Sequence, residues 1–279
     1  MSLIKFLLAP TKALNLHMVK KICFYLKFLF KGTNKYNIHS PMVHEFIENI
    51  LDNSLKYYCF FGIEHVRSLL LKQDEVIELK DLGAGSKSIK SAISTINILT
   101  KKVQSRPEKA QILFRIVNFF HKKNILEIGT SLGLTTAYLS NANKNGKVTT
   151  IEGDPSVSNL AQKNFKTLKL KNVELLNQPF DQIIPQLLKN KFDLIFFDGN
   201  HSKDATLRYF YWLVEYVNED SIFIFDDIYW SSDMKQAWEE ICNFDEVMLS
   251  LDIFSLGIVF FKKNREKEYI KLVHRSNFY

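Results

Sequence analysis

A turn with two glycines, between an apolar segment and a helix start, constrains the fold of this chain most. It covers residues 124–136, with the sequence NILEIGTSLGLTT. The apolar first half is typical of a buried strand. Gly129 and Gly133 allow the backbone to turn tightly and to approach a ligand closely. A strand, a glycine turn and a helix N-terminus together form a place to hold a nucleoside ligand.

A second apolar segment follows this turn and ends in an acid, Glu152. In nucleotide-binding βαβ units an acid at this place accepts hydrogen bonds from ribose hydroxyls, so we expect Glu152 to hold a ribose. The spacing Gly129-x-x-x-Gly133 differs from the G-x-G-x-x-G dinucleotide fingerprint. Glycines alone are weak evidence, because ordinary turns also need them; the acid downstream strengthens the interpretation.

The run from Glu127 to Thr136 resembles motif I of the class I S-adenosylmethionine-dependent methyltransferases, in the E-x-G-T-x-x-G-x-[ST]-[ST] form of their O-methyltransferase branch. The segment His39-Ser40-Pro41 resembles the H-S-P segment of a family of bacterial class I methyltransferases. The resemblance covers most of the chain and implies a Rossmann-like fold with S-adenosyl-L-methionine as cofactor. It also places Glu127 near the amino group of that cofactor. The loop positions expected to contact it are Gly129, Thr130, Ser131 and Gly133.

Strands and helices are predicted to alternate after residue 106, which indicates a parallel sheet with helices on both faces. The chain is thus predicted to be α/β, with a seven-stranded, mostly parallel sheet whose seventh strand is antiparallel, as in the methyltransferase fold. The predicted strands lie near 124–129, 147–152, 172–176, 193–198, 221–226, 246–251 and 255–262. The predicted helices lie near 108–121, 134–144, 156–169, 180–189, 203–217 and 232–242.

Residues 1–105 are predicted to form a helical N-terminal extension, and residues 106–279 the catalytic domain, with a boundary at Arg106-Pro107. Within the extension, one helical face between residues 19 and 30 is apolar. Docking of this stripe on the catalytic domain is the first expectation; a second subunit, giving a homodimer, and a membrane surface are the alternatives. The stripe consists of Val19, Ile22, Cys23, Leu26, Leu29 and Phe30.

A second glycine loop, Asp81–Ser86, also resembles a methyltransferase motif I. The preceding Glu75–Lys80 segment makes a poor buried strand, and no strand ending in an acid follows at the right distance. We therefore assign the cofactor to the loop at Gly129–Gly133. The Asp81–Ser86 loop is interpreted as a turn or as a cover over the site.

Polar residues at the carboxyl ends of the later strands are the next candidates, because ligands of open α/β sheets bind there. After the third strand, Phe180 is expected to pack on the adenine ring and Gln178 to hydrogen-bond it. The alternative is a simple helix start, with Asp181 favoured by the helix dipole.

Three acids follow the fourth and fifth strands, at Asp198, Asp226 and Asp227. They resemble the acidic positions of the metal-dependent catechol-type O-methyltransferases, although Asp227 replaces the asparagine of those enzymes. A divalent cation would relieve the repulsion among three nearby carboxylates, and Mg²⁺ suits oxygen ligands best. In the alternative, Asp198 contacts the cofactor, Asp226 caps the next segment and no metal binds.

His201 lies three residues after Asp198, at the offset where catechol-type enzymes hold a lysine base. A histidine suits proton removal from a hydroxyl, so His201 and Asp198 are the predicted catalytic pair, with Lys203 as substitute base. The alternative is a surface histidine beside Ser202, the N-cap of the next helix. Tyr229 and Trp230 are interpreted either as walls of the acceptor pocket or as core.

Composition narrows the function classes. No apolar run reaches 18 residues, and three scattered cysteines fit a reducing cytoplasm without a disulfide framework. The net charge of +7 leaves RNA methylation and peripheral membrane contact of the N-terminal segment as alternatives. The absence of an N-P-P-Y-type motif argues against nucleic-acid bases as acceptors. The leading prediction is O-methylation of a small hydroxylated acceptor; an accessory protein that binds cofactor without turnover is the other alternative.

Overall fold

The structure is a computed structural model that describes residues 16–79, 93–103, 105–263 and 266–275. The strands in this part are β1 (Val76–Glu78), β2 (Ile93–Thr95), β3 (Asn124–Ile128), β4 (Lys147–Glu152), β5 (Val173–Asn177), β6 (Leu194–Phe197), β7 (Ile222–Asp226), β8 (Leu249–Asp252), β9 (Leu256–Phe260) and β10 (Glu268–Lys271). The helices are α1 (Leu16–Lys31), α2 (Pro41–Phe46), α3 (Tyr58–Leu70), α4 (Ile96–Val103), α5 (Pro107–Phe119), α6 (Leu134–Ala142), α7 (Pro155–Thr167), α8 (Phe180–Leu187), α9 (Lys203–Val214) and α10 (Ser232–Asn243).

The central sheet has eight strands in the order β10-β8-β9-β7-β6-β3-β4-β5. Strands β7, β6, β3, β4 and β5 are parallel, and β9 runs antiparallel to both β7 and β8. This is the Rossmann-like methyltransferase fold expected from the sequence. The sheet has one strand more than the seven predicted, because β10 pairs in parallel with β8. Its sequence, Glu-Tyr-Ile-Lys, alternates polar and apolar residues and gives only a weak strand signal.

Alternate residues of the central strands face two separate hydrophobic clusters, one on each side of the sheet. Ile125 and Phe196 belong to the cluster covered by α2, α3, α5 and α6. Their neighbours Leu126 and Phe197 belong to the cluster covered by α8, α9 and α10. Successive side chains of a strand point to opposite faces, so strands that are apolar throughout are buried on both faces. The predicted sandwich of helices around a sheet is therefore confirmed.

Helix α1 docks on the catalytic domain through the face opposite to the predicted one. The ring of Phe28 is 1% exposed, and its centroid lies 5.4 Å from that of Phe254. Tyr25 also contacts Phe254, at 4.8 Å between centroids. Tyr229 in the loop after β7 and Phe254 in the loop after β8 pack against the aromatic side chains of α1. The helix therefore docks through its aromatic face and not through the wider aliphatic stripe. The prediction that the stripe docks here was wrong: Val19, Ile22, Cys23, Leu26, Leu29 and Phe30 are exposed.

The N-terminal extension and the catalytic domain pack into continuous hydrophobic clusters. Phe60 of α3 contacts Phe114 of α5, with 4.9 Å between ring centroids. The end of the described chain returns to the extension, where His274 and Lys35 both contact Asp52, each within 3.0 Å. The division at residue 105 remains a prediction, and the interface across it is extensive.

The Asp81–Ser86 loop, which the sequence analysis interprets as a turn or a cover over the site, lies outside the described residues, as do residues 1–15. The segment before that loop forms the short strand β1, which pairs antiparallel with β2 apart from the central sheet. Across the described part of the chain, no helix combines the length and the apolar character that crossing a membrane requires.

Candidate functional site

The carboxyl ends of four adjacent strands bring the predicted site residues to one edge of the sheet. Glu127 and Glu152 lie at the ends of β3 and β4, and Asp198 and Asp226 lie at the ends of β6 and β7. The strand order β7-β6-β3-β4 makes these four strands neighbours. The site thus lies where open α/β sheets bind their ligands.

The glycine loop adopts the left-handed backbone that the sequence anticipates. Gly129 has φ 107° and Gly133 has φ 78°, backbone angles that residues with a side chain rarely adopt. The N–H groups of Gly129 and Thr130 both donate to the carbonyl of Ile151, at 3.1 and 3.0 Å, and fasten the loop to β4. A Cβ at Gly129 would lie 2.7 Å from the carbonyl oxygen of Asp198. The loop therefore passes directly beside the β6 end of the site.

Glu152 reaches back to this loop from β4. Its Oε2 accepts the N–H of Ser131 at 2.8 Å, and its Oε1 accepts the N–H of Asp154 at 3.0 Å. The Asn177 amide donates to the Glu152 carbonyl at 2.8 Å. The carboxylate is half-buried and held in place. The carboxylate is therefore a fixed hydrogen-bond acceptor, and its binding of a ribose remains a prediction.

Glu127 is fully buried and only half satisfied. The hydroxyls of Thr136 and Thr150 both donate to its Oε2, the latter at 2.7 Å. Its Oε1 is buried without a hydrogen-bond partner. Burial raises the pKa of Glu127 to about 7, although both hydroxyls oppose the rise. An unpartnered buried carboxylate oxygen calls for a donor from outside the chain, which suits the amino group that motif I predicts here.

The carboxyl groups of Asp198 and Asp226 hydrogen-bond to each other. Burial and the charge of Asp226 raise the pKa of Asp198 well above its usual range. Burial alone would raise the pKa of Asp226 too, but the ammonium of Lys109 and the hydrogen bond from Asp198 hold it below its usual value. The proton of the pair therefore resides on Asp198, and the negative charge on Asp226.

Lys109 also lies at this site, and the sequence analysis did not predict it there. It projects from the first turn of α5, and its Nζ lies 2.6 and 2.7 Å from the two oxygens of Asp226. Only 10% of the Lys109 side chain and 4% of the Asp226 side chain are exposed. The available signal was position: Lys109 shares a helix face with apolar Leu113 and Ile116, so a lysine there has to be buried.

The residues present do not fit the predicted Mg²⁺ site at Asp198, Asp226 and Asp227. Asp226 already accepts Lys109 and the N–H of Asp227, the latter at 2.9 Å. In the described ranges, no group of three or more His, Cys, Asp or Glu side chains is arranged to hold a metal ion. The metal site was predicted from the three carboxylates alone, whereas the ammonium of Lys109 already lies against Asp226.

His201 lies beside Asp198, as predicted. Its Nε2 is 3.9 Å from Asp198 Oδ1, and both side chains are largely buried. The ring centroid of Trp230 lies 6.4 Å from that of His201. Lys203, the predicted substitute base, instead faces α10, where its Nζ is 3.4 Å from Glu240. Ser202 is the N-cap of α9, since its Oγ accepts the N–H of Ala205 at 3.4 Å.

Phe180 and Gln178 differ in how closely they approach the site. The Phe180 ring lies against Gly199, where an added Cβ would meet it at 2.6 Å, so it borders the Asp198 turn. Gln178 is exposed. Asp181 pairs with Arg208 at 2.8 Å on the surface of α8 and α9. The contacts of Phe180 and Gln178 with adenine remain predictions.

The aromatic pair after Asp227 divides between core and site. Tyr229 is buried, donates to Asp252 at 2.7 Å and stacks on Phe254, so it belongs to the core. Trp230 is half-buried beside His201, and the ammonium of Lys21 lies 5.8 Å from its ring centroid. His39 and Ser40 lie elsewhere, in a cleft of about 420 Å³ lined also by Lys31 and by residues 268–271.

Comparison with known proteins agrees with this geometry. Residues 126–228 match the methyltransferase domain family. A curated catechol O-methyltransferase of Niastella koreensis is 31% identical over 127 residues, which cover 44% of this chain and 57% of that protein. The chain thus spans little more than half the length of that relative. The residues that match the methyltransferase domain family, 126–228, contain the glycine loop, Glu152, Asp198 and Asp226.

Two solved structures share the fold at low identity. An O-methyltransferase from Bacillus cereus in complex with SAH (S-adenosylhomocysteine) has a TM-score of 0.53 and 19% identity, covering 78% of this chain and 97% of that one. The O-methyltransferase TomG from Streptomyces achromogenes, in complex with SAM (S-adenosylmethionine), has a TM-score of 0.52 and 18% identity, covering 57% and 82%. Both likenesses concern the fold. The segment His39–Pro41 lies outside the matched family residues.

Proposed function

We propose that this chain is a SAM-dependent methyltransferase that transfers a methyl group to a hydroxyl oxygen of a small acceptor. The observation that carries the proposal is the pairing of a buried, half-satisfied Glu127 with a fixed Glu152 across one glycine loop. The match of residues 126–228 to the methyltransferase domain and the 31% identity to a catechol O-methyltransferase support it.

The chain's residues fit the parts of SAM one by one. Glu127 Oε1 lacks a donor and would accept from the amino group. Glu152 would accept from the ribose hydroxyls, which would join or replace the N–H groups of Ser131 and Asp154. Phe180, at the rim beside Gly199, would pack on the adenine ring. Bound SAM supplies a methyl group made electrophilic by its sulfonium.

His201 is the proposed base. The acceptor oxygen bonds to the methyl carbon while the carbon–sulfur bond breaks and its electron pair remains on sulfur. His201 would take the hydroxyl proton, since an oxyanion attacks far better than a neutral hydroxyl. Asp198, 3.9 Å from His201 Nε2, would orient the ring. The ring of Trp230 lies beside His201 and would suit a flat acceptor.

The test is transfer of labelled methyl from SAM to a panel of phenols, catechols and aliphatic alcohols. We expect label in at least one class of hydroxylated small molecule and a loss of about 10²–10⁴-fold in turnover for His201→Ala. His65→Ala, at an exposed position of α3, is the matched control and should keep full activity. Cofactor binding without transfer to any acceptor would favour an accessory protein, and label in bulk RNA would favour an RNA methyltransferase.

A further inference from the structure

We infer that the ammonium of Lys109 is the resident cation of the acceptor side of this site, so that cofactor binding and methyl transfer proceed without a divalent metal. The inference rests on the proposed function, because it concerns the same site. It identifies Lys109 as a positioning residue, which acts on the reaction through Asp226 and Asp198.

The contacts of Asp226 leave no free position for a metal. A carboxylate has about four lone-pair positions in its plane. Lys109 Nζ approaches both oxygens, at 2.6 and 2.7 Å. The N–H of Asp227 takes a third position at 2.9 Å, and the carboxyl of Asp198 adds a further hydrogen bond. Mg²⁺ requires direct contact with oxygen ligands, so it would have to displace the ammonium first.

Burial favours the Lys109 ammonium over a divalent cation at Asp226. With 10% and 4% of their side chains exposed, Lys109 and Asp226 interact where solvent screens little. Burial alone would lower the pKa of Lys109, but the charges of Asp226 and Asp227 raise it, so Lys109 remains an ammonium. A divalent cation placed among these carboxylates would meet a fixed positive charge, so the two cations exclude each other.

The Lys109 ammonium also helps to position His201, the proposed base. Lys109 neutralises Asp226, and Asp226 in turn holds the carboxyl group of Asp198 by a hydrogen bond. Asp198 is thereby fixed 3.9 Å from His201 Nε2. Without the ammonium, Asp226 would lose the two contacts that hold its carboxylate in place. Asp198, which is hydrogen-bonded to Asp226, would then no longer be fixed beside His201.

Binding of Mn²⁺, followed by electron paramagnetic resonance in the presence of SAH, tests the inference. The wild-type protein should leave Mn²⁺ free. Lys109→Met keeps the length of the side chain but removes its charge, so we expect it to gain Mn²⁺ affinity by at least about tenfold. Lys109→Arg retains a cation and should behave like the wild type. Methyl transfer by the wild type should be unchanged by a chelator.

Mn²⁺ bound to the wild-type protein, and lost on Asp226→Asn, would overturn the inference; this arm needs no Lys109 variant to fold. A folded Lys109→Met protein without gained Mn²⁺ affinity would overturn it as well. Calorimetry with SAH separates the two hypotheses. Binding of SAH only when Mn²⁺ is present would overturn the inference alone, whereas no SAH binding in either condition would remove the proposed function and the inference with it.

We also propose, from a separate observation, that the outer face of α1 binds an anionic lipid surface. This outer face is the apolar stripe that does not dock on the catalytic domain. Phe30 is 88% exposed, and the other large members are each more than a third exposed. The outer face consists of Val19, Ile22, Cys23, Leu26, Leu29 and Phe30.

The charge pattern of α1 identifies the occupant. Lys20, Lys27 and Lys31 are exposed along one border of the outer face, and the helix contains no acidic residue. An apolar face bordered by lysines is typical of helices that lie in the plane of a membrane interface. A second copy in a symmetric dimer would set the same lysines against each other. Anionic lipids of a cytoplasmic leaflet, the expected location, would instead attract them.

Sedimentation with vesicles tests this surface. We expect the protein to bind phosphatidylcholine vesicles that contain phosphatidylserine and to dissociate from them as the salt concentration increases. Binding to vesicles of pure phosphatidylcholine should be weak or absent. The double variant Leu26→Glu/Phe30→Glu should lose binding. Phe61→Glu, at a 64% exposed position of α3, is the matched control and should retain it.

Vesicle binding that survives Leu26→Glu/Phe30→Glu would overturn the proposal, as would no binding at low salt. A dimer in solution that the double variant dissociates would overturn it too, because a second copy would then cover the outer face. Light scattering on the same samples measures that oligomeric state.

Discussion

Glu127 is the residue in which stability and the proposed function oppose each other. Its carboxyl group is fully buried, with both threonine hydroxyls on one oxygen and no partner on the other. Burial raises its pKa to about 7, above the value of about 4.3 expected in the unfolded chain. The group thus favours folding most at low pH, and that contribution is lost as the pH rises through 7. The ionised form, by contrast, is the one that pairs with an amino group.

Glu127→Gln is therefore expected to have effects of opposite sign at pH 8. The apoprotein should be more stable by up to about 4 kcal/mol, because a buried charge is removed and each unit of the rise in pKa from about 4.3 to about 7 corresponds to about 1.4 kcal/mol. Affinity for SAM should fall by about tenfold or more, because the anionic partner is lost. Urea unfolding and calorimetry on the same samples measure the two effects.

The wild-type protein supplies its own control for Glu127. Its SAM affinity should fall by about tenfold between pH 8 and pH 6 as Glu127 takes up a proton, and Glu127→Gln should flatten this dependence. An equal pH dependence in both proteins would show that Glu127 does not contact the cofactor.

At the scale of elements, the loop between β3 and α6 determines the shape of the site. Gly129→Ala should destabilise the protein by about 1–3 kcal/mol, because φ 107° is strained for alanine and its Cβ would lie 2.7 Å from the Asp198 carbonyl. SAH binding should weaken in parallel, since loop and Asp198 turn are displaced together. Thermal unfolding with and without SAH measures both effects.

A second glycine offers the matched control for that loop. Gly62 lies on an exposed position inside α3, where an added Cβ meets nothing closer than 4.0 Å. Gly62→Ala should stabilise the protein by about 0.5–1 kcal/mol through helix propensity and leave SAH binding unchanged. A similar loss in both variants would contradict the strained conformation assigned to Gly129.

The docking of helix α1 predicts different effects on stability for two phenylalanines that lie two residues apart. Phe28→Ala should cost about 3–5 kcal/mol, because its ring is buried among Tyr25, Tyr229 and Phe254. Phe30→Ala, at an 88% exposed position, should change stability by less than about 0.5 kcal/mol. Equal effects in urea unfolding would show that the helix docks through another face.

At the scale of the whole molecule, Asp52 fastens the end of the described chain to the N-terminal extension. It contacts Lys35 at 2.9 Å, His274 at 3.0 Å and Arg275 at 3.5 Å. Hydrogen bonds from Lys35 and His274 hold the pKa of Asp52 below its usual range. The stability it contributes is present above its unfolded pKa of about 3.9 and is lost as the pH falls through the lower folded value.

Asp52→Asn should therefore lower the Tm at pH 7 and leave little difference from the wild type once the pH falls well below about 4. Asp74→Asn, which changes an acid on the extension that lies away from this cluster, is the control. A difference in Tm that persists at low pH would mean that Asp52 acts through packing rather than through its charge.

Much of this fold could be predicted from the sequence. Buried strands such as Leu194–Phe197 are apolar throughout, and the helices between them have clear caps, such as Ser202 for α9. Strong local signals of this kind decide elements and their order, and the order decides which strand ends meet. Glu152, Asp198 and His201 could be predicted to lie at one edge of the sheet for that reason, because each lies at a strand end or within four residues of one. Their roles remain predictions.

The features that escaped prediction depend on contacts between distant parts of the chain. Lys109 reaches Asp226 across 117 positions, and no local pattern announces such a partner. Strand β10 forms because β8 offers a free edge, although its own sequence is half polar. The docking face of α1 was misjudged because its choice depends on Tyr229 and Phe254, which the helix sequence does not contain.

Calorimetric titration with SAH tests the central claim most directly. The account predicts that the wild-type protein binds SAH in the presence of a chelator, and that Glu152→Ala weakens binding by about tenfold or more, which corresponds to about 1.4 kcal/mol. Glu174→Ala, an exposed acid on the neighbouring β5, should bind like the wild type. Absence of SAH binding by the wild type, or equal binding by Glu152→Ala, would contradict the cofactor site described above.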